Sequence, residues 1–324
     1  MQNLQRLFTH FACICALSVL ALAHDLRVFG TNPQITAMLE LLYPQGLIGL
    51  NYAPYPEDRD FMPDGVATLP VLGVIGGGKM LSFEKLLSLK PDVVFFGEPL
   101  AQEIADSYKK LGIQVVTLKS HDISHLAHNI QIIAATLPIE SRARDLQEFI
   151  ATTQSRLSAL QEQITYRPKV YFALGLDGLQ TQCANEAHAD LAYQIGGINA
   201  LSCAQLSSSY TSINYEKLLA LNPDIIFVRE IALYKKLLTN PPKQWQALRA
   251  VQTKQLFYAP SSPSNWLTKP PPSVMQIIGI PWAFAKVQPT LLSQEEAQAI
   301  VFSFFEKFLR PLDVPSFKRL QGLR

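Results

Sequence analysis

The chain has 324 residues, of which 48% are hydrophobic, and its formal net charge at pH 7 is +2. This length is enough for a large hydrophobic core and fits two domains. The near-neutral charge argues against a nucleic-acid-binding protein, which would usually show a basic patch or stripe.

The first 23 residues have the parts of a secretory signal peptide. Arg6 supplies the positive charge, residues 11–22 form an apolar core that is short for a membrane span, and residues 21–23 read Ala-Leu-Ala, an A-x-A cleavage site. We therefore expect cleavage before His24 and a periplasmic, soluble mature protein. The alternative is an uncleaved membrane anchor. No cysteine directly follows the apolar core, so a lipoprotein anchor is not expected.

Residues 24–138 alternate between short apolar strands and amphipathic helices, which predicts an α/β lobe with a largely parallel sheet. Asn32 and Pro33 suit the N-cap and first position of a helix. A long loop rich in Pro and Tyr follows at residues 51–69, and such loops in compact domains are usually functional or disordered. The other predicted elements are strands at 26–29, 47–50 and 114–118 and helices at 99–111 and 121–135.

One sequence unit occurs twice, as SFEKLLSLKPDVVFFGE at residues 82–98 and as NYEKLLALNPDIIFVRE at residues 214–230. Its apolar spacing predicts a short helix, which ends at the Pro-Asp pair because the residue before proline is pushed out of the α region. The continuous apolar run that follows is typical of a buried parallel strand. Two copies this far apart predict two similar lobes, since solenoid repeats have periods of about 20–50 residues.

The longest helical pattern lies between the two copies and predicts a connecting helix at residues 139–165. Residues 166–292 are then a second α/β lobe, and residues 293–324 are a C-terminal helix and tail. Ser293 and Glu296 have the spacing of a capping box. The predicted elements of the second lobe, besides the repeated unit, are strands at 169–174 and 255–258 and helices at 188–195 and 273–287.

Two cysteines remain after the signal segment, Cys183 and Cys203. An even pair in an oxidising compartment favours a disulfide, which would be worth about 3 kcal/mol in the chain-entropy model. Two buried free thiols are the alternative. A zinc site is not expected, because the pair lacks further ligands.

The sequence contains no recognisable catalytic motif, whether a nucleophile elbow, a zinc-protease helix, a C-x-x-C pair or a Walker motif. Residues 76–79, Gly-Gly-Gly-Lys, lack the spacing of a phosphate-binding loop and are interpreted as a loop with close backbone approach. His121 and His125, or His125 and His128, could share a helix face as metal ligands, but a solvated face explains them more simply.

Polar and aromatic residues cluster in the loops at the predicted carboxyl ends of the strands, where open α/β sheets bind ligands. Tyr and Trp offer flat apolar faces and Arg and Lys offer positive charge, a mixture that suits an anionic, partly apolar small ligand. The alternative is that these are ordinary surface loops. The candidate ligand-binding residues are Tyr52, Tyr55, Arg59, Lys79, Glu98, Arg229, Asn265, Trp266 and Lys269, with Asn51 and Glu230 nearby.

The repeated unit, together with the intervening GGIN at residues 196–199 and the segment SNWLTKPPPSVMQIIGIPW at residues 264–282, resembles a known family over essentially the whole mature chain. This family comprises the substrate-binding proteins of ABC importers for iron-siderophores, cobalamin, haem and other metal chelates. The resemblance implies two Rossmann-like α/β lobes joined by one long helix, with the ligand in a cleft between them. It also implies that Glu84 and Glu216 meet arginines of the membrane permease.

The function expected from this resemblance is capture of an iron or other metal chelate and its delivery to an ABC importer, whose permease and ATPase would be the partners. No intrinsic cofactor, catalytic residue or nucleic-acid partner is expected, and the protein is predicted to be a monomer. One alternative is a molybdate, tungstate or nickel-chelate receptor of the same fold. A more distant one is an exported two-domain α/β enzyme.

Overall fold

The computed structural model describes residues 25–75, 80–119, 123–182, 190–202, 210–267 and 274–323. Several predictions fall outside these ranges: the signal segment, the proposed disulfide, and the candidate residues Lys79, His121 and Lys269. Within them, no helix combines the length and the apolar character needed to cross a bilayer.

The first lobe is built on a parallel sheet in the order β1-β2-β3. The register pairs Phe29 with Val94 and Phe95 with Val116. Helices connect the strands, as expected for parallel pairing. The elements are β1 (Val28–Gly30), α1 (Pro33–Leu42), α2 (Phe83–Ser88), β2 (Val93–Gly97), α3 (Gln102–Lys110), β3 (Gln114–Leu118) and α4 (Leu126–Thr136).

The predicted strand at residues 47–50 is not a continuous strand. Its two ends form isolated bridges with different partners, Leu47 with Val28 and Leu50 with Val71. The N–H of Ile48 donates to the Val28 carbonyl, whereas the N–H of Leu50 donates to Pro70. The segment therefore changes partner within three residues and cannot build one ladder.

The connecting helix α5 (Glu140–Gln161) has 22 residues, which corresponds to about 33 Å of helix. It is slightly shorter than the predicted segment and buries one stripe that includes Leu146, Ile150 and Leu160. The stripe packs against elements of both lobes, so α5 belongs to the core and is not a free linker.

The second lobe repeats this plan with a parallel sheet in the order β6-β4-β8-β9, to which an antiparallel pair, β5 and β7, is added. The β5–β7 pair and the helix α8 were not predicted. The elements are β4 (Lys169–Ala173), β5 (Gln180–Gln182), α6 (Leu191–Gln194), β6 (Ile198–Asn199), β7 (Tyr210–Ser212), α7 (Tyr215–Leu221), β8 (Ile225–Val228), α8 (Ile231–Thr239), α9 (Lys243–Gln246), α10 (Arg249–Gln252) and β9 (Leu256–Tyr258).

The repeated sequence unit forms the same structure in each lobe, as predicted. Ser82 and Asn214 cap α2 and α7 by accepting from the N–H groups of Lys85 and Lys217. The strands β2 and β8 that follow are inner strands, each paired on both sides. Burial on both faces explains why both strands are continuously apolar.

Three helices complete the chain: α11 (Gln276–Val287), α12 (Gln294–Phe308) and α13 (Val314–Leu320). The predicted capping box is present, with the Ser293 hydroxyl accepting from the Glu296 N–H at 3.1 Å and the Glu296 carboxylate accepting from the Ser293 N–H. Helix α12 packs on α5 through Phe149 and Phe304, whose ring centroids lie 5.4 Å apart. The largest hydrophobic cluster therefore runs from the first lobe through α5 and α12 into the second.

Candidate functional site

A cavity of about 1160 Å³ lies between the two lobes. The first lobe contributes the start of α1 and part of the loop at residues 52–61, and the second contributes residues at the carboxyl ends of β8 and β9. This is the position at which open α/β sheets bind ligands. The cavity is lined by Pro33, Gln34, Ala37, Tyr52, Ala53, Tyr55, Glu57, Asp58, Asp60, Phe61, Arg229, Glu230, Ile231, Lys235, Tyr258, Ser261, Ser262, Pro263, Ser264, Asn265, Arg319, Leu320, Gly322 and Leu323.

The loop at residues 51–69, predicted to be functional or disordered, has a defined structure that presents two tyrosines. The Asp58 carboxylate accepts a hydrogen bond from the Tyr55 N–H at 3.2 Å. Phe61, at the base of the loop, is buried and meets Phe305 edge-on at 6.4 Å. With the loop held in this way, Tyr52 and Tyr55 stay 48% and 74% exposed at the cavity. Their rings offer flat faces to a ligand without disturbing the core.

Asn51, at the start of this loop, has a structural position. Its side-chain amide donates to the carbonyl of Gly30 at 2.9 Å and to that of Gly73 at 3.0 Å. It therefore ties the end of β1 to the segment after the isolated bridge at Val71. Its Oδ1 has no hydrogen-bond partner among the described residues.

Among the residues that the structure describes, Arg229, Lys235 and Arg319 bring positive charge to the cavity. Arg229 follows β8 directly, and its N–H donates to the Ala173 carbonyl at 3.0 Å, which continues the ladder between β8 and β4. Its side chain lies 3.8 Å from the Glu230 carboxylate, and both groups are about one third exposed. An ion pair this long and this exposed is weak, so the guanidinium can exchange Glu230 for a ligand anion.

Four carboxyl groups also line the cavity, those of Glu57, Asp58, Asp60 and Glu230. Burial raises the pKa of Asp58, although its hydrogen bonds with Ser262 and Tyr55 oppose this. Behind Asp58, on α1, the buried Glu40 has its pKa raised to about 8 by burial and by the nearby Asp58. Glu40 is therefore mainly protonated at neutral pH. Because the acids offset the cations, the described part of the cavity has a mixed charge.

The structure brings Tyr52, Tyr55, Arg229 and Asn265 to one cavity, which Glu230 also lines. Three other candidates, Arg59, Glu98 and Trp266, do not line the cavity. Arg59 is exposed and does not line the cavity. The chain turns at this point, so that Asp58 faces the cavity and the next residue, Arg59, lies on the outer side. Glu98 follows β2 and accepts a hydrogen bond from the Thr117 hydroxyl at 3.2 Å, away from the cavity.

Trp266 was expected at the cleft, but the structure places it in the core. It is fully buried, and its indole N–H donates to the Ser262 carbonyl at 3.0 Å. Its ring meets Trp282 edge-on at 6.1 Å. An apolar ring with its single donor satisfied is stabilised by this burial, so Trp266 supports the loop that carries Asn265.

Sequence reasoning missed Gln34, Lys235 and Arg319 as lining residues. Lys235 lies on α8, and Arg319 on α13, two helices that were not predicted. The start of α13 has a local signal, because the Asp313 carboxylate accepts from the Ser316 N–H at 2.8 Å and Pro315 lies in the first turn. Nothing local indicates that α13 reaches the cavity.

Glu84 and Glu216 occupy matched positions in the first turns of α2 and α7. Both side chains are exposed, and neither forms an ion pair with a residue that the structure describes. The negative charge suits the positive end of a helix dipole, so each acid is compatible with its own helix and with an external cation.

The histidine cluster lies only partly within the described residues. No group of three or more His, Cys, Asp or Glu side chains there could hold a metal ion. His125 and His128 lie at the start of α4, while His121 falls outside these ranges.

A family model described as "Periplasmic binding protein" matches residues 57–263. The vitamin B12-binding protein of Vibrio cholerae serotype O1 is 22% identical over 258 residues, which cover 78% of this chain and 86% of that protein. The high-affinity heme uptake system protein IsdE of Staphylococcus aureus is 22% identical over 240 residues, 72% of this chain and 78% of that protein. The solved ABC transporter solute binding protein from Sulfurospirillum deleyianum DSM 6946 has 27% identity and a TM-score of 0.79, covering 93% of this chain and 95% of that one.

Proposed function

Because this chain belongs to the periplasmic binding protein family, we propose that it captures a metal chelate in the interlobe cavity and delivers it to an ABC importer. The observation that carries the proposal is the cavity itself, which lies between two α/β lobes and presents two exposed tyrosines beside Arg229. Iron-siderophores, haem and corrinoids combine extended apolar surface with acidic or polar groups. The proposed site offers a complementary surface for each.

The volume of the cavity favours a chelate over a bare oxyanion. Sites for drug-sized ligands usually measure about 300–1,000 Å³. At about 1160 Å³ the volume of this cavity lies just above the upper end of that range. A tetrahedral oxyanion would fill a small part of it and would leave the tyrosines without a function.

The charge of the cavity supports the same choice. A small oxyanion is usually held by converging cations and backbone N–H groups. Here Glu57, Asp58, Asp60 and Glu230 share the cavity with the three cations, and two of the cations already face carboxylates. A ligand that spreads its charge over a large surface tolerates this mixture better. Molybdate, tungstate and a nickel chelate remain the alternative cargoes.

The importer permease is the proposed partner, with Glu84 and Glu216 as the contact points on the two lobes. This assignment is supported by their matched and exposed positions.

We also propose that the protein is exported to the periplasm by the signal segment at residues 1–23. A bridge between Cys183 and Cys203 is part of the same proposal, and comparison of the intact mass after alkylation with and without reductant tests it.

Titration of the mature protein with haem, cyanocobalamin, a ferric siderophore and molybdate tests the function. We expect saturable binding of one chelate and weaker binding of molybdate. Arg229→Ala should lower the affinity for that chelate about tenfold or more, by loss of a charge-assisted contact. If molybdate binds and no chelate does, the cargo is the oxyanion and not a chelate.

Two matched variants show whether the chelate sits in the cavity. Tyr55→Ala removes a ring that lines it, whereas Tyr166→Ala removes a ring that is similarly exposed, at 66%, but lies outside it. Only the first should weaken binding. Turnover of a bound compound, with no transport, would favour the enzyme alternative.

A further inference from the structure

The C-terminal segment, residues 310–323, lies beyond residue 263, where the family match ends, and yet four of its residues line the cavity. These are Arg319, Leu320, Gly322 and Leu323. Helix α13 is seated by Phe317, which is buried and packs on Phe302 with a centroid distance of 5.3 Å. The segment is therefore fixed in place at the cavity.

The segment is tied to the first lobe by two arginines. Arg310 forms an ion pair with Asp64, and its Nε donates to the same carboxylate at 2.8 Å. Nine residues later, Arg319 lies 3.4 Å from the carboxylate of Asp60 and 5.7 Å from the centre of the Phe61 ring. Asp60 and Asp64, the acidic partners of the two arginines, belong to the loop that carries Tyr52 and Tyr55.

The segment is tied to the second lobe by its last turn. The Gln321 side-chain oxygen accepts a hydrogen bond from the Trp282 indole N–H at 3.2 Å. Gly322 has a φ of +69°, and a Cβ at this position would lie 2.8 Å from Ile231. Only glycine fits both the conformation and the space without strain. The segment therefore spans the two lobes at the cavity.

Arg319 is the charged group that this segment adds to the cavity. Its contacts with Asp60 and with the Ser316 hydroxyl both use Nη2. Nε and Nη1 have no acceptor among the described residues, and the side chain is 58% exposed. A guanidinium has five donors in a fixed fork, so a second acidic group can bind without removal of Asp60.

We propose that residues 310–323 form a third wall of the ligand site, in which Arg319 binds an acidic group of an anionic, partly aromatic ligand. This inference rests on the proposed function, because it takes the interlobe cavity as the ligand site. It adds a specificity residue that comes from neither lobe. A ligand with an acidic group at this wall would contact both lobes and the C-terminal segment at once.

The test uses anilinonaphthalene sulfonate, an aromatic anion whose binding does not depend on the identity of the cargo. The full mature protein, Arg319→Gln, Arg319→Lys and Arg310→Gln are titrated by fluorescence. Arg310→Gln is the matched control, because it loses the same charge and an ion pair to the same loop, but Arg310 does not line the cavity. Thermal unfolding of each variant confirms that it is folded.

We expect Arg319→Gln to weaken dye binding about five- to tenfold, at the low end for a charge-assisted contact because the guanidinium is well exposed. Arg319→Lys keeps the charge and should retain intermediate affinity, while Arg310→Gln should stay within roughly twofold. Three results would each overturn the inference: equal affinity of Arg319→Gln and the parent, equal losses in Arg319→Gln and Arg310→Gln, or no saturable dye binding. If every chelate titration fails but dye binding still depends on Arg319, the proposed cargo is wrong, whereas the role of Arg319 in binding anions at the cavity is retained.

Discussion

The Asp92 carboxylate accepts a hydrogen bond from the backbone N–H of Arg27 at 2.8 Å, and this contact ties the repeated unit of the first lobe to the residue before β1. Asp224 makes the corresponding contact with the N–H of Lys169, the first residue of β4, also at 2.8 Å. The Pro-Asp pair of the repeated unit thus ends a helix and fixes the start of the neighbouring strand. Its aspartate has the same structural task in both lobes.

We expect Asp92→Ala to lower the free energy of unfolding by about 1–3 kcal/mol, because it leaves an edge N–H without its charged acceptor. Urea unfolding at neutral pH measures the loss. Asp106→Ala is the control, since the Asp106 carboxylate accepts a hydrogen bond from the Gln102 side chain within the same helix, α3, and its loss should change stability by less than about 0.5 kcal/mol. Equal losses in the two variants would contradict the anchoring role of Asp92.

Much of the fold could be predicted because its signals are local. The repeated unit contains its own cap, helix, Pro-Asp stop and apolar strand, and the long amphipathic pattern before Arg167 predicts α5. The conformations of the β5–β7 pair and of the segment at residues 47–50 depend instead on which partner lies beside them. Leu47 and Leu50 suit a strand by type, but their partners differ, and a single sequence does not encode that information locally.

The site was predictable only in part, for the same reason. Tyr52, Tyr55, Arg229 and Asn265 follow predicted strands or lie in long loops, so their location at the carboxyl edge of a sheet could be inferred. Trp266 has the same local context as Asn265, but its ring points into a space that α11 and α12 create. Arg319 reaches the cavity only because α13 folds back over both lobes.

Glu40 should make the stability of the protein fall as pH rises. Its folded pKa of about 8 lies above the ordinary value of 4.5, because of burial and the neighbouring Asp58. Between these values the folded protein holds a proton that the unfolded chain has released, so the free energy of unfolding decreases with pH. We expect Glu40→Gln to stabilise the protein at pH 8 by a few kcal/mol, on the order of 1.4 kcal/mol per unit of pKa difference.

Urea unfolding at pH 5 and pH 8 measures this effect of Glu40→Gln, which should be small at the lower pH. Glu103→Gln on exposed α3 is the control and should leave the pH profile unchanged. If the free energy of unfolding changes between pH 5 and pH 8 by the same amount in Glu40→Gln and in the parent, Glu40 does not titrate in this range.

Arg142 should be a major determinant of how α5 is held against α1 and α12. Its guanidinium donates to the carbonyl of Leu41 at 2.5 Å, of Lys307 at 3.3 Å and of Phe308 at 3.0 Å. These carbonyls end α1 and α12, so one side chain on α5 closes two helices from different parts of the chain. Partial burial lowers the pKa of Arg142, but an arginine remains charged at neutral pH.

We expect Arg142→Met to keep the apolar packing and to lower the free energy of unfolding by about 2–3 kcal/mol, since it removes charge-assisted hydrogen bonds. Arg144→Met, an exposed change two residues along the same helix, is the matched control. Urea unfolding compares them. A loss in Arg144→Met as large as that in Arg142→Met would point to charge or helix propensity in place of the three carbonyl contacts.

The matched acids Glu84 and Glu216 give the most direct test of the proposed partner. A single acid in the first turn of a helix is explained by the helix dipole, which is worth about 0.3–1 kcal/mol. That explanation is less natural for two exposed acids at equivalent positions, one in each lobe. A permease with two-fold symmetry would meet one such charge on each lobe. Contacts of this kind govern encounter and orientation, and they weaken with salt.

We therefore expect Glu84→Ala with Glu216→Ala to leave folding and cargo affinity nearly unchanged while transport falls sharply. Uptake into vesicles that contain the importer is measured beside binding by titration, at low and high salt. Glu103→Ala with Glu295→Ala is the control, because these acids are also exposed in the first turns of helices, α3 and α12. The docking role is excluded if the first pair transports normally, or if it loses as much cargo affinity as uptake. If the control pair loses as much transport as the Glu84 and Glu216 pair, the effect belongs to net charge and not to these two positions.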